Sequence, residues 1–283
     1  MNRIDAIFQS LRAEGRKALM PFLCGGYPSI ETTGPMIEAA ARAGASVIEI
    51  GVPYSDPIAD GPVIASAMHE ALSRGANVDR LFNAVAQVRD RVSAGLVAMV
   101  SASIVAGLGG PAAFCERAKN AGFDGLIVPD APLEETNLLH ESAAREGLTL
   151  SLLIAPSTPD DRAAAIAERS TGFVYLIARA GITGERDNAP RIAERVSALR
   201  PHTDLPIACG FGISTPAHVR AVVEHADAAI VGSALVRRLG DAPDPVAEVG
   251  GFVASLAEGL HPRVSTPGDE PNEDDPPTSE PQP

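Results

Sequence analysis

The sequence has few cysteines, fewer basic than acidic residues and no long apolar run, and each of these shortages argues against a class of protein. Three cysteines, an odd number with no Cys-x-x-Cys pair, exclude a disulfide framework and argue against a cysteine zinc site. A net charge of −13, from 23 basic and 36 acidic residues, argues against nucleic acid or an anionic membrane surface as a partner. No apolar run approaches the roughly 18 residues that span a bilayer, and the N-terminus lacks a signal-peptide pattern. We therefore expect a soluble, cytoplasmic protein.

The C-terminal segment differs in composition from the rest of the chain. Residues 262–283 contain seven prolines, six acids and no large apolar residue after Val264. Such a segment cannot bury enough surface to offset the entropy lost on ordering. We expect a disordered acidic tail over residues 262–283 and one folded domain over residues 1–261.

The body alternates short β-rich runs with helical stretches. An N-terminal helix places Ile4, Ile7, Phe8 and Leu11 on one face. Eight strands are predicted, at Ala18–Leu23, Ser46–Gly51, Leu96–Ser101, Gly125–Pro129, Thr149–Ile154, Gly172–Ala178, Pro206–Gly210 and Ala228–Gly232. Eight βα units in one domain of about 260 residues favour a closed (β/α)8 TIM barrel. A doubly wound open sheet is the alternative, but no glycine fingerprint follows the first strand.

Glycine-rich sequences end the last two predicted strands. Gly210-Phe211-Gly212 ends the seventh, and Gly232-Ser233 ends the eighth and opens a helix. Exposed backbone N–H groups and the positive end of a helix dipole bind anions without Lys or Arg. Loops in this position commonly hold phosphate in such barrels, although the glycines could simply permit tight turns.

Glu49 is the carboxylate whose position most suggests chemistry. Side chains alternate along a strand, so Glu49 shares a face with Val47 and Gly51, while Ile48 and Ile50 share the face packed on helices. Glu49 then points into the barrel mouth, where an ionised carboxylate is costly without a function or a partner. A core glutamate paired with an arginine is the structural alternative.

The positions of the lysines and histidines reduce the number of reaction types that the chain could catalyse. The lysines are Lys17, before the first strand, and Lys119, in a helix, so a Schiff-base aldolase has no suitable amine. None of the six histidines lies at a strand end or at metal-ligand spacing, which disfavours a metal-assisted aldolase. Metal-free acid–base chemistry by carboxylates on a phosphorylated small molecule remains.

The segment from Ile48 to Pro62, IEIGVPYSDPIADGP, resembles the signature of the tryptophan synthase alpha chain. The similarity continues through Pro21-Phe22, Val128–Pro132, the Tyr175 strand, Arg179–Gly184, Gly210–Ser214 and Val231–Ala234. The Glu49-to-Asp60 stretch is highly specific for the family, whereas the glycine loops alone would not be.

The resemblance implies a (β/α)8 barrel that splits indole-3-glycerol phosphate into indole and glyceraldehyde 3-phosphate. It implies a beta-chain partner in an alpha2-beta2 assembly, with pyridoxal phosphate in that partner and no cofactor or metal in this chain. Glu49 and Asp60 match the two catalytic acids of the family. The positions that match its substrate-binding residues are Phe22, Tyr175, Thr183, Gly184, Phe211, Gly212, Gly232 and Ser233.

One departure from the family concerns the segment after the third strand. The family has a Tyr-x-Asn segment there that lines the pocket and faces the beta chain, and ungapped alignment places Ala102 and Ile104 at those positions. The segment Ser101–Gly110 is predicted to be a flexible loop with few anchoring side chains for the partner.

Three other functions are compatible with parts of this pattern. A stand-alone indole-3-glycerol phosphate lyase would have the same site without the partner. A degenerate paralogue acting only as a binding or activating subunit would not need Glu49, Asp60 and Tyr175. A phosphate-binding isomerase of the same pathway would usually need a strand-end Lys or His.

Overall fold

The protein is a barrel of parallel strands surrounded by helices, in a computed structural model that describes residues 1–57, 61–177, 192–210 and 212–261. The strands are β1 Ala18–Cys24, β2 Val47–Gly51, β3 Gly95–Met99, β4 Gly125–Ile127, β5 Thr149–Ser151, β6 Leu153–Ile154, β7 Val174–Ile177, β8 Ile207–Gly210 and β9 Ala228–Val231.

Twelve α-helices lie among the described residues. They are α1 Arg3–Ala13, α2 Ile30–Arg42, α3 Pro62–Ser73, α4 Val78–Val88, α5 Ala102–Gly107, α6 Gly110–Asn120, α7 Asn137–Arg145, α8 Asp160–Arg169, α9 Ala193–Leu199, α10 Pro216–Val223, α11 Ser233–Gly240 and α12 Pro245–Ala257. Short 3-10 turns occupy Arg89–Arg91, Leu133–Glu135, Arg200–His202 and Glu258–Leu260. No helix in this part of the chain combines the length and apolarity needed to cross a membrane.

The strand order confirms the predicted barrel and corrects the fifth strand. Hydrogen-bonded neighbours follow the order β5-β4-β3-β2-β1-β9-β8-β7-β6, and every pairing is parallel. The predicted strand Thr149–Ile154 is two segments, because the chain changes partner at Leu152: β5 pairs with β4 and β6 pairs with β7. The seventh and eighth predicted strands are therefore β8 and β9.

Two apolar layers hold the barrel together. Ile48 and Ile50 belong to the larger layer between the strands and the outer helices, whereas Val47 and Val97 belong to a smaller cluster inside the barrel. This division follows from the period-two alternation of side chains along each strand.

Helix α1 closes the barrel floor. Ile4, Phe8 and Leu11 are buried inside the barrel, whereas Ile7 is only half-buried. The Asn2 side chain caps the helix by accepting from the Ile4 N–H at 2.8 Å.

Two aspartates at the floor make matching contacts, which we call the Asp124 clamp and the Asp227 clamp. Asp124 precedes β4; its Oδ2 accepts from the Leu96 N–H of β3 at 2.9 Å and from Arg89 Nη1 at 3.2 Å. Asp227 precedes β9; its Oδ2 accepts from the Ile207 N–H of β8 at 2.9 Å and from Arg200 Nη2 at 2.5 Å. Each carboxylate thus ties a strand start to the preceding strand.

The segment after β3 is not the predicted flexible loop. Residues Ala102–Gly107 form α5, and the Ser101 side chain caps it by accepting from the Ser103 N–H at 3.2 Å. Asp130, after β4, accepts from the Ala102 N–H and from Ser101 Oγ, each at 2.8 Å. Ser and Asp are strong helix-capping residues, and their hydrogen bonds order this segment. The predicted tail at 262–283 lies outside the described residues, so the boundary at 261 stays a prediction.

Candidate active site

Glu49 lies in the middle of β2, on the inner face of the barrel. It is in register with Phe22 of β1 on one side and with Val97 of β3 on the other. The side chain is completely buried, and neither carboxyl oxygen has a hydrogen-bond partner among the described residues. The alternative of a core glutamate satisfied by an arginine therefore has no support in that part of the chain.

Burial dominates the electrostatics of Glu49. Loss of hydration disfavours the charged carboxylate, and it raises the pKa of Glu49 to about 8. The carboxyl group is consequently protonated at neutral pH. A protonated carboxyl group in an apolar site with a pKa near neutrality is suited to general acid catalysis.

Phe22 and Tyr175 occupy the space above two inner-face glycines. A Cβ at Gly51 would lie 2.5 Å from Phe22 Cζ, so the ring covers the strand position that follows Glu49 on this face. A Cβ at Gly210 would lie 2.7 Å from the Tyr175 hydroxyl oxygen. Each ring therefore requires glycine at the facing position of the neighbouring strand, because a Cβ there would overlap the ring.

The sequence placed Gly51 on the Glu49 face and Gly210 in a possible anion-binding loop, but neither glycine was predicted to make room for an aromatic ring. The signal was available, because Gly51 is two residues after Glu49 and shares its face by the same alternation. What the sequence does not show is which aromatic ring fills the space above each glycine.

Gly232 differs from these two glycines because a Cβ there would clash with no neighbouring atom. The nearest atoms to a Cβ at Gly232 are Phe22 Cβ at 3.6 Å and Ile64 Cδ1 at 3.9 Å, which is ordinary contact distance. Gly232 immediately precedes α11, whose first residue is the buried Ser233. Gly212, after β8, has φ of +80°, a conformation that glycine adopts without strain.

The structure thus places Phe22 and Glu49 on the neighbouring strands β1 and β2, and Gly232 and Ser233 directly after β9, which also adjoins β1. Gly212 follows β8, and Tyr175 lies on the opposite wall. The other predicted site residues are Asp60, Thr183, Gly184 and Phe211, and they lie outside the described residues. In the part that is described, no cluster of three or more His, Cys, Asp or Glu side chains could hold a metal ion.

These features define a (β/α)8-barrel protein with a protonated, fully buried carboxyl group and a helix N-terminus at the carboxyl ends of its strands. That is the end of the barrel where enzymes of this architecture carry their active sites.

Comparison with known proteins identifies the family. The family model described as tryptophan synthase alpha chain matches residues 8–258. A tryptophan synthase alpha chain from Cyanothece sp. is 42% identical over 266 residues, covering 93% of this chain and 99% of the relative. Another, from Prochlorococcus marinus, is 45% identical over 252 residues, covering 88% and 91% respectively.

Solved structures agree with the sequence relatives. A chain from a crystal structure of tryptophan synthase from M. tuberculosis in an aminoacrylate-bound form has a TM-score of 0.83 at 32% identity, covering 92% of this chain and 100% of that one. The tryptophan synthase alpha subunit from Legionella pneumophila has a TM-score of 0.81 at 30% identity, covering 92% and 98%. The chain belongs to the tryptophan synthase alpha chain family, a family of lyases in tryptophan biosynthesis, which confirms the resemblance carried by the Glu49-to-Asp60 segment.

Proposed function

We propose that this chain cleaves indole-3-glycerol phosphate by a metal-free retro-aldol reaction in which Glu49 is both the acid and the base. The observation that carries the proposal is the complete burial of Glu49, with both oxygens unpartnered in the described part of the chain and a pKa of about 8. Burying an unpaired carboxyl group costs stability, and a role in proton transfer to the substrate accounts for that cost.

The reaction balances with one carboxyl group. Protonated Glu49 delivers its proton to indole carbon 3, and the ring becomes a cation. The carboxylate then takes the proton of the adjacent glycerol hydroxyl. The bond between carbon 3 and the glycerol carbon breaks, its electron pair restores the indole, and the hydroxyl carbon becomes the aldehyde of glyceraldehyde 3-phosphate. Glu49 ends protonated, as it began.

The ring cation needs stabilisation while carbon 3 is protonated. Asp60, which lies outside the described residues, is proposed to accept a hydrogen bond from the indole N–H and to stabilise the positive charge. Phe22 and Tyr175 are proposed to bind the ring. Phe22 is in register with Glu49 and its ring covers Gly51, and Tyr175 belongs to the inner cluster on the opposite wall.

The phosphate is proposed to bind at the ends of β8 and β9. The N–H groups at Gly212, Gly232 and Ser233 and the N-terminus of α11 supply donors and a favourable dipole without a cationic side chain. Because Gly232 has no side chain, a ligand can approach the backbone closely there. Thr183, Gly184 and Phe211 are proposed to complete the substrate site from outside the described residues.

The partner is proposed to be a tryptophan synthase beta chain in an alpha2-beta2 assembly. This chain needs no cofactor for the reaction above, and pyridoxal phosphate is expected only in the partner. The exposed surface of α5 offers Ser103, Ala106 and Gly107, which are small. Binding hot spots are usually large aromatic or arginine side chains, so we expect an association weaker than is usual for the family. A cytoplasmic location stays a prediction.

The experiment measures indole release from indole-3-glycerol phosphate by the purified chain, alone and during titration with a cognate beta chain in a calorimeter. We expect indole release by the chain alone, and binding heat with faster release when the beta chain is added. Absence of indole release in both arms would refute the reaction. Release without heat or activation at tens of micromolar would favour the stand-alone lyase.

A further inference from the structure

A groove of about 650 Å³ lies between the segments that follow β2, β3 and β4. Its walls are mainly apolar, from Tyr54, Met68, Leu72, Met99 and Ile104. The Ser101–Asp130 pair lines the groove as well, but those two side chains bind each other and the N-terminus of α5. Their polar atoms are therefore already satisfied. Ser55, Asp56, Asn77 and Ser103 also line the groove, but most of its surface is apolar.

Two residues that line the groove, Met99 and Met68, connect it to the surroundings of Glu49. Val97 is in register with Glu49, and Met99 is the next residue toward the barrel mouth on the same inner face of β3. Met68 provides a second link, because its Cε would lie 3.6 Å from a Cβ at Gly51, and Met68 also lines the groove. Two methionines thus lie between the groove and the strand positions next to Glu49.

The direction of the substrate follows from the position of the phosphate site, and this step rests on the proposed function. The phosphate site lies at β8 and β9, on one side of β1, and Glu49 lies on the other side, on β2. The glycerol phosphate chain leaves carbon 3 of the indole toward β9. Because that bond points away from the ring, the fused ring extends in the opposite direction, toward β3 and the groove.

We propose that the groove is a side pocket of the substrate site that accepts small apolar substituents on the benzo ring of the indole. Positions 5 and 6 of the ring are farthest from carbon 3 and reach the groove first. Met68 and Met99 adapt to a methyl group at these positions, because methionine has an unbranched, flexible side chain that fills irregular space. The reaction then proceeds on ring-methylated substrates as it does on the parent compound.

The test is the condensation of indole, 5-methylindole or 6-methylindole with glyceraldehyde 3-phosphate, followed by chromatography. A closed apolar pocket discriminates against one extra carbon by about 10- to 200-fold in kcat/KM. We expect at least one methylindole to react within about threefold of indole. A penalty of tenfold or more for both methylindoles would overturn the side pocket, whereas failure of indole itself would overturn the proposed function instead.

A matched pair of variants on α5 locates the effect. Ile104→Trp fills the groove, so the ratio of kcat/KM for methylindole to that for indole should fall at least tenfold. Ala106→Trp adds the same side chain at an exposed residue that does not line the groove, and should leave the ratio unchanged. An unchanged ratio in Ile104→Trp, with folding verified by circular dichroism, would overturn the proposal.

Discussion

Replacing Glu49 by glutamine tests both the chemistry and the electrostatics of the site. The amide is nearly the same size as the carboxyl group but neither donates the proton nor ionises. Removal of a positioned acid–base group lowers rate by about 10² to 10⁴-fold, and we expect at least that loss in kcat. In the wild type, kcat/KM should fall as the pH rises above about 8, because the protonated acid disappears.

The same substitution changes how stability depends on pH. The pKa of Glu49 is about 8 in the folded protein and about 4.5 when exposed. Between these two values the folded state holds a proton that the unfolded state has lost. The free energy of unfolding therefore falls with rising pH, by about 1.4 kcal/mol per pH unit. Below about pH 4.5, and well above pH 8, this contribution no longer changes.

The magnitude is large enough to measure by urea unfolding. From pH 6.0 to pH 7.5 the wild type should lose about 2 kcal/mol relative to Glu49→Gln, because all other titrating groups are shared and cancel. The buried amide adds a cost that does not depend on pH, so only the slope of the difference matters. Parallel pH profiles for the two proteins would refute the raised pKa, and near wild-type activity in the variant would refute the catalytic role.

Three further predictions concern substrate binding and stability. In Gly232→Ala the new methyl group would lie 3.6 Å from Phe22 Cβ, which is ordinary contact, so the variant should fold. The methyl group would stand between the phosphate and the backbone, so KM for the phosphorylated substrate should rise about tenfold or more. If the wild type bound a dephosphorylated analogue equally well, the phosphate site would be wrong. Thr149→Val removes a buried hydroxyl that has no partner in the described structure, so it should raise the free energy of unfolding by about 1 kcal/mol. The control is Ser151→Ala, which removes a hydroxyl that donates a 3.2 Å hydrogen bond to Thr171 O. This control should lower the free energy of unfolding. Deletion of residues 262–283 should leave the melting temperature and indole release unchanged, and a loss of either would show that the tail docks.

The barrel could be predicted from the sequence because eight β-rich runs alternate with helical ones. The inward direction of Glu49 also followed from alternation alone, since Val47 and Ile48 occupy opposite faces as expected. The break at Leu152 could not be predicted, because a strand that exchanges one neighbour for another has the same alternation as a continuous strand.

The segment after β3 shows a different limit. Small residues and glycines suggested a flexible loop over Ser101–Gly110. The helix there depends on Asp130, which is 28 residues away from Ala102 and caps it from the next strand end. Local composition carries no information about such a distant acceptor. The lack of a hydrogen-bond partner for Glu49 among the described residues likewise depends on every neighbouring strand, and no motif reveals it.

The Asp124 and Asp227 clamps have a consequence for how the barrel forms. Each clamp joins residues that are close in the chain: 28 separate Leu96 from Asp124 and 20 separate Ile207 from Asp227. Contacts at such short separations lose little loop entropy and can form early, one in each half of the chain. The pairing of Ala18 with Ala228, which joins β1 to β9, closes a loop of about 210 residues. We therefore expect two clamped half-barrels to form before the closure of β1 on β9, with that closure as the slow step of folding.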